Sequence, residues 1–206
     1  MTVPDRQTAA ALLIETVPPD WLVRHARAVA EVAAWLAGRT AARGILVDRR
    51  LVEAAALLHD LDKALPVGHP ARILPHGEGS AAWLAERGHP ELGPAVAGHP
   101  VTRLGDGVRF SGWLATSSHE ERIVAYADKR AGARLERMDD RFASWRRRYP
   151  GGWDDATAVA VRRRAARLED AVCDAAGIRP DEVRRLRWTG PPLVAARDRA
   201  AIGGSR

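Results

Sequence analysis

Apolar residues recur along most of the chain at spacings of three and four, the period of a helix with one buried face, and no stretch of useful length alternates as a strand does. Thr8 to Val17 predicts a short helix, ended by Pro18-Pro19-Asp20, and Trp21 to about Arg43 predicts a long one with Leu22, His25, Val29, Val32 and Leu36 inward. Gly44 closes the long helix, and Asp48 caps a third that runs from Arg49 into His59-Asp60. Pro66, Gly68 and Pro70 enforce a loop, with His69 placed in solvent. A helix then begins at His76 and stops at Gly88, and a shorter one runs from Glu91 to Gly98-His99-Pro100. Val101 to Thr116 carries Gly105, Gly107 and Gly112 and reads as an irregular lid or substrate loop. Ser117 or Ser118 caps a long helix whose inward stripe is Val124, Asp128, Ala131 and Leu135. Helices are further expected over Asp140 to Tyr149, Asp154 to Ala176 and Asp181 to Arg187, and a disordered tail from Gly190. The pattern predicts an all-α fold of about seven to nine helices.

Polar groups interrupt the apolar stripes at a few places. Val52, Ala56, His59 and Lys63 are separated by four, three and four residues, so a helix that buries Val52 and Ala56 brings an imidazole and an ammonium to the edge of its core, with Asp60 beside them. Each is costly there unless it is paired or bound to a metal. A core histidine with a capping aspartate would also fit His59-Asp60 taken alone. His25 lies within an otherwise apolar face, where its second ring nitrogen needs a partner. Asp128 is an acid on an apolar face, while His76 and His99 stand at helix ends beside Gly or Pro, where an imidazole can face a cleft.

Composition narrows the chemistry. The 206 residues suffice for one domain with a proper core, and 46% apolar with 28% charged residues is a globular balance. No apolar run approaches the ~20 residues of a membrane span, the N-terminus lacks a basic-then-apolar signal, and the cytoplasm is the expected location. Cys173 is the only cysteine, which excludes an internal disulfide and a cysteine-based zinc cluster and leaves His, Asp and Glu as metal ligands. The net charge of +6 includes arginine clusters at 146–148, 162–164 and 184–187, but none has the interleaved aromatics of a stacking platform, and solvated helix faces are the expected reading rather than nucleic-acid contacts.

Four potential ligands drawn from three helices, His25, His59, Asp60 and Asp128, occur in the order H, then HD, then a distant D. In this the chain resembles the HD superfamily of metal-dependent phosphohydrolases, over about residues 20 to 137. His76 and His99 match the two further histidines that two-metal members place between the HD pair and the last Asp. HGEGSAAWL, GHP and IVAYADKR look most like the bacterial branch that includes symmetrical diadenosine tetraphosphate hydrolases. Pro100-Val101-Thr102 and Lys129-Arg130 depart from that branch, and nothing after about Tyr149 resembles it.

The resemblance implies an HD-domain helical bundle over 1–149, with a C-terminal helical extension over 150–189 and the tail over 190–206. It implies hydrolysis of a nucleotide or related phosphate ester or anhydride by metal-activated water. The metal ligands would be His25, His59, Asp60, His76, His99 and Asp128 around two ions, Fe or Mn favoured over Co, Ni, Zn or Mg, with Asp60 bridging. Lys63 would offset charge on the substrate or leaving group, with Arg103, Arg109, Arg130 and Glu78 as further substrate contacts. Two alternatives stand beside this: a dinuclear iron oxygenase of the same superfamily, and a metal- or nucleic-acid-binding module without turnover.

Overall fold

A computed structural model describes residues 3–149 and 151–203, and among these the architecture is all-α. In chain order the helices are α1 (Arg6–Glu15), α2 (Asp20–Ala42), α3 (Arg49–Leu58), α4 (Glu78–Glu86), α5 (Gly93–Gly98), α6 (Gly107–Thr116), α7 (His119–Arg130), α8 (Met138–Arg148), α9 (Asp155–Ala176) and α10 (Gly190–Gly203). Short 3-10 turns link several of them, and the one β-like feature among the described residues is an isolated bridge between Ala131 and Leu135.

The core forms around α2, which packs on α3, α7 and α9, while α5 closes against α3 and α7. Ala26, Ala28, Ala30, Ala33, Ala34 and Ala37 are all buried on α2. Methyl groups at these positions let the neighbouring helices approach on several sides, and Leu22, Val29, Val32 and Leu36 fill the remaining space. The third helix starts as its sequence dictates: Asp48 accepts from the N–H groups of Arg50 and Leu51 at 2.9 and 3.0 Å. For α7 the cap is Ser118, in a reciprocal box with Glu121.

Several expectations give way. The Val101 to Thr116 stretch is helical, a 3-10 turn over Val101–Gly105 followed by α6, because Asp106 accepts from the N–H groups of Val108 and Arg109 and starts a helix despite the glycines. Arg164 of α9 donates to the Leu104 carbonyl at 2.6 Å and pins the turn, so the segment is packed rather than a free lid. The helix from Ser118 ends at Arg130, earlier than its pattern suggested, and Ala131 and Leu135 pair across a turn instead of continuing the inward stripe.

The helix expected over Asp181 to Arg187 is a 3-10 turn at Pro180–Glu182 followed by a segment laid across α2. There Leu186 N–H donates to the Glu31 carbonyl at 3.1 Å, Trp188 donates to that of Ala30 at 3.3 Å, and the buried Glu31 carboxylate accepts from Arg185 and Thr189. The tail expected to be disordered is helix α10 as far as Gly203; it packs on α1 and buries Leu193 and Ala196. The expectation for 204–206 lies outside the described residues. Helices α6 and α10 bring the count among the described residues to ten.

Candidate metal centre

Four helices and the turn before α4 deliver the ligand-type side chains. The third helix stops at Leu58, so His59 is its C-cap and Asp60 follows in a non-helical conformation, which turns the imidazole and the carboxylate towards the same interior point. Lys63 lies in the 3-10 turn after Asp60, one break beyond the helix, and its Nζ reaches Asp60 Oδ2 at 2.8 Å. Helix α2 supplies His25 from its buried face, the C-cap of α5 supplies His99, and the last turn of α7 supplies Asp128. His76 is set by the glycines that follow it. Gly77 adopts φ +85°, which favours glycine, and its N–H donates to Asp62 Oδ2 at 2.9 Å. A Cβ at Gly79 would stand 2.1 Å from the Ala71 carbonyl oxygen, so only glycine lets α4 sit this close to the preceding turn.

The structure brings all six ligand candidates together. On one side His25 Nε2 and His59 Nε2 are 3.2 Å apart, and Asp128 Oδ1 lies 3.2 and 3.7 Å from them. Asp60 Oδ2 lies 3.4 and 3.5 Å from the same two nitrogens. On the other side His76 Nε2 and His99 Nε2 are 3.1 Å apart, and Asp60 Oδ1 lies 3.2 and 3.4 Å from them. One carboxylate therefore faces two imidazole pairs, one pair on each oxygen. His59, His99 and Asp60 are buried, whereas the His76 side chain is 35% exposed and opens to solvent.

Proton positions explain why these pairs call for a cation. His25 Nδ1 faces the Gly132 carbonyl at 3.1 Å, His59 Nδ1 that of Ala56 at 2.9 Å, and His99 Nδ1 that of Val96 at 2.5 Å. His76 Nδ1 faces Asp62 Oδ2 at 2.8 Å. A carbonyl or carboxylate can only accept, so each Nδ1 carries hydrogen and each neutral ring turns a bare Nε2 lone pair inward. Two lone pairs ~3 Å apart repel unless a positive centre lies between them. Two nitrogens bound to one ion at about 2.0–2.1 Å are themselves about 3 Å apart, so the spacing suits a metal. Asp60 Oδ1, buried and without a hydrogen-bond partner, points the same way.

Without metal, protons play that part. Burial opposes charge on His25, but Asp128 and Asp60 overcome it and raise its pKa to about 9. The same balance, with the Asp60 and Asp62 carboxylates beside the ring, raises His76 to about 9. Burial dominates at His99 and lowers it to about 4. Burial also opposes ionisation of Asp60 and Asp128, yet His59 and the other imidazoles around Asp60, and Lys129 beside Asp128, hold both carboxyls well below the usual range.

A family model described as HD domain matches residues 22–133. The chain belongs to the HD domain family. The HD superfamily is one of metal-dependent phosphohydrolases, and the His/Asp cluster described above lies within the matched span, as a metal site of this family would. No curated protein and no solved structure matches the chain, so membership is established for the HD superfamily and not for one branch of it.

Two residues that support the HD cluster were not legible as such. Asp62 fixes His76 and Gly77, and its position two residues after Asp60 was the available signal. Lys129 is 1% exposed; its Nζ donates to Asp128 Oδ2 at 3.0 Å and to the His99 carbonyl, tying the two sides together. Burial lowers its pKa, against the pull of Asp128. The substrate-contact expectations for the arginines fare differently. Arg130 is buried against Tyr126, Glu169 and the Pro180 carbonyl, and Arg103 donates to the carbonyls of Ala97 and Gly98 at the end of α5, so both are structural. Arg109 and Glu78 face each other at 3.7 Å, largely exposed. None of these four lines the cleft over the cluster. That cleft, of about 650 Å³, is lined instead by Arg24, Lys63, Arg141 and Arg148 together with His25, Asp60, His76 and Asp128. Among the described residues no helix is long and apolar enough to cross a membrane.

Proposed function

We propose that this protein is a phosphohydrolase with two metal ions, acting on a nucleotide or a related phosphate ester or anhydride. The observation that carries the reading is Asp60, whose two carboxylate oxygens each face a separate imidazole pair. His25, His59, Asp128 and Asp60 Oδ2 would hold one ion, and His76, His99 and Asp60 Oδ1 the other. A donor set of imidazole and carboxylate without thiolate suits Fe or Mn. Such ions, when bound, lower the pKa of water and neutralise phosphate oxygens.

The chain's own side chains supply the rest. The carbonyls of Ala56, Val96 and Gly132 and the Asp62 carboxylate hold each imidazole in one tautomer, so no ring has to reorient during turnover. Lys63, 39% exposed at the rim, can exchange its bond to Asp60 for one to a phosphate oxygen by side-chain rotation alone. Arg24, Arg141 and Arg148 on the same walls give the cleft the positive charge that the remaining phosphate oxygens need.

Metal analysis of protein purified without a metal-affinity tag, followed by a phosphate-release screen on the same sample, tests the proposal. Two ions per chain and phosphate release that chelation or Asp60→Ala abolishes are expected. Full activity in Asp60→Ala would refute it, and substrate-dependent oxygen uptake without phosphate release would point to oxidative chemistry at the same residues.

A further inference from the structure

The cleft over the cluster does not end beside Asp60. A second cavity of about 570 Å³ adjoins it, and the two share Val101, Trp145 and Tyr149 as wall residues. The second cavity is otherwise lined by Thr102, Arg146, Gly151, Gly152 and Trp153. Trp145, Tyr149 and Trp153 are a dense concentration in a chain with seven Trp, two Tyr and two Phe. Tyr149 is 61% exposed, and Trp145 and Trp153 are only half-buried, so ring surface is left facing the cavity. At the junction the Arg141 guanidinium lies 4.7 Å from the centre of the Trp145 ring, and its Nε is buried without a hydrogen-bond partner. The charged half and the aromatic half thus meet at one residue pair, with volumes in the range of small-molecule sites.

We propose that this aromatic cavity is the specificity site of the enzyme and takes the base of a nucleoside phosphate whose phosphate lies beside Asp60. The proposal rests on the phosphohydrolase reading for the position of the phosphate. An unbranched apolar substituent would be served by aliphatic walls, whereas three aromatic side chains, one of them with the Arg141 guanidinium over its ring, suit a flat, polarisable ring. The cavity is formed largely by α8 and the residues after it, beyond the span that matches the HD family, where selectivity can differ without disturbing the metal ligands.

Binding of non-hydrolysable phosphonates to the metal-loaded protein tests this apart from turnover. The adenosine phosphonate, with carbon in place of the bridging oxygen, is compared by calorimetry with the ribose phosphonate that lacks the base. The base is expected to tighten binding about 5- to 150-fold, the range for stacking of one base on aromatic side chains. Tyr149→Leu and Trp153→Leu should each remove much of that gain and leave the ribose phosphonate unaffected. Tyr149 is exposed enough for its variant to fold, and Trp153→Phe should restore the preference. Equal binding of the two phosphonates by the unmodified protein, parallel loss of both in the variants, or tighter binding of decyl phosphonate than of the adenosine compound would overturn the proposal. A base preference without phosphate release from any nucleoside mono-, di- or triphosphate or dinucleoside polyphosphate would keep the cavity's role and reject the hydrolase reading instead.

Discussion

Asp62 offers the sharpest test of whether the two sides of Asp60 are separate sites. Its carboxylate accepts from His76 Nδ1 at 2.8 Å and from the Gly77 N–H at 2.9 Å, both through Oδ2. It touches nothing on the His25, His59 and Asp128 side. Asp62→Ala removes the group that keeps hydrogen on His76 Nδ1 and orients the ring, and partners of this kind typically contribute 10–100-fold in metal affinity, about 1.4–2.7 kcal/mol. The ion held by His76 and His99 should weaken by that factor while the other keeps its affinity. Asp62→Asn, whose amide oxygen can still accept but carries no charge, should fall between. Competition titration against a chelator of known affinity, with metal counted per chain, would show one step of two displaced. Parallel weakening of both steps, or no change in either, would refute the reasoning, because Asp62 contacts only one imidazole of the four.

Other consequences can be checked directly. In chelated protein, His25 and His76 are raised to about 9, so their contribution to stability is fully present below the unfolded value near 6.5 and is lost as pH rises through 9; Tm should fall over that window, and metal, which competes with the same protons, should reverse the trend. Lys129→Met leaves Asp128 without its buried cation and should cost about 3–5 kcal/mol in denaturant unfolding of the chelated protein, a cost far below this range being inconsistent with the pairing. Arg130→Ala should lower stability by about 3 kcal/mol or more with KM unchanged at temperatures where the variant is folded; a raised KM would return Arg130 to the substrate. Leu193→Ala should cost about 2 kcal/mol or more if α10 is packed as described, and nothing if that segment is disordered.

What could be read from the sequence, and what could not, divides along a physical line. His25, His59 and Asp128 were legible because a polar residue on an apolar helical stripe is anomalous at a fixed period, and a period is local information. His76 and His99 were legible from their neighbours, since Gly77 and Pro100 mark the places where a helix end can aim a ring into a cleft. Helix α6 was missed although its signal was present: Asp106 is a capping side chain, but three glycines outweighed it in a count of propensities, and packing of Arg164 on the preceding turn decides the outcome. Helix α10 likewise has low intrinsic amphipathicity and is held by α1, a partner about 180 residues away that no window can see.

The arginines show the same limit most plainly. Arg103, Arg130 and Arg141 are indistinguishable as residue types, and only the first two were among the expected substrate contacts. Their fate was set by which carbonyls lay unpaired within their reach: Arg103 is consumed by those of Ala97 and Gly98 at the end of α5, and Arg130 by those of Glu136 and Pro180 in the segments after α7 and α9, each through two or more hydrogen bonds. Arg141 begins the second turn of α8, where no such carbonyl is in reach of its Nε, and it is therefore left to line the cleft. A guanidinium is drawn first to unpaired backbone acceptors, because leaving those buried costs about as much as any gain from a substrate contact. The arginines that remain for binding are those the fold has no other use for, and these come from α2 and α8 rather than from the segments nearest the metal ligands in sequence.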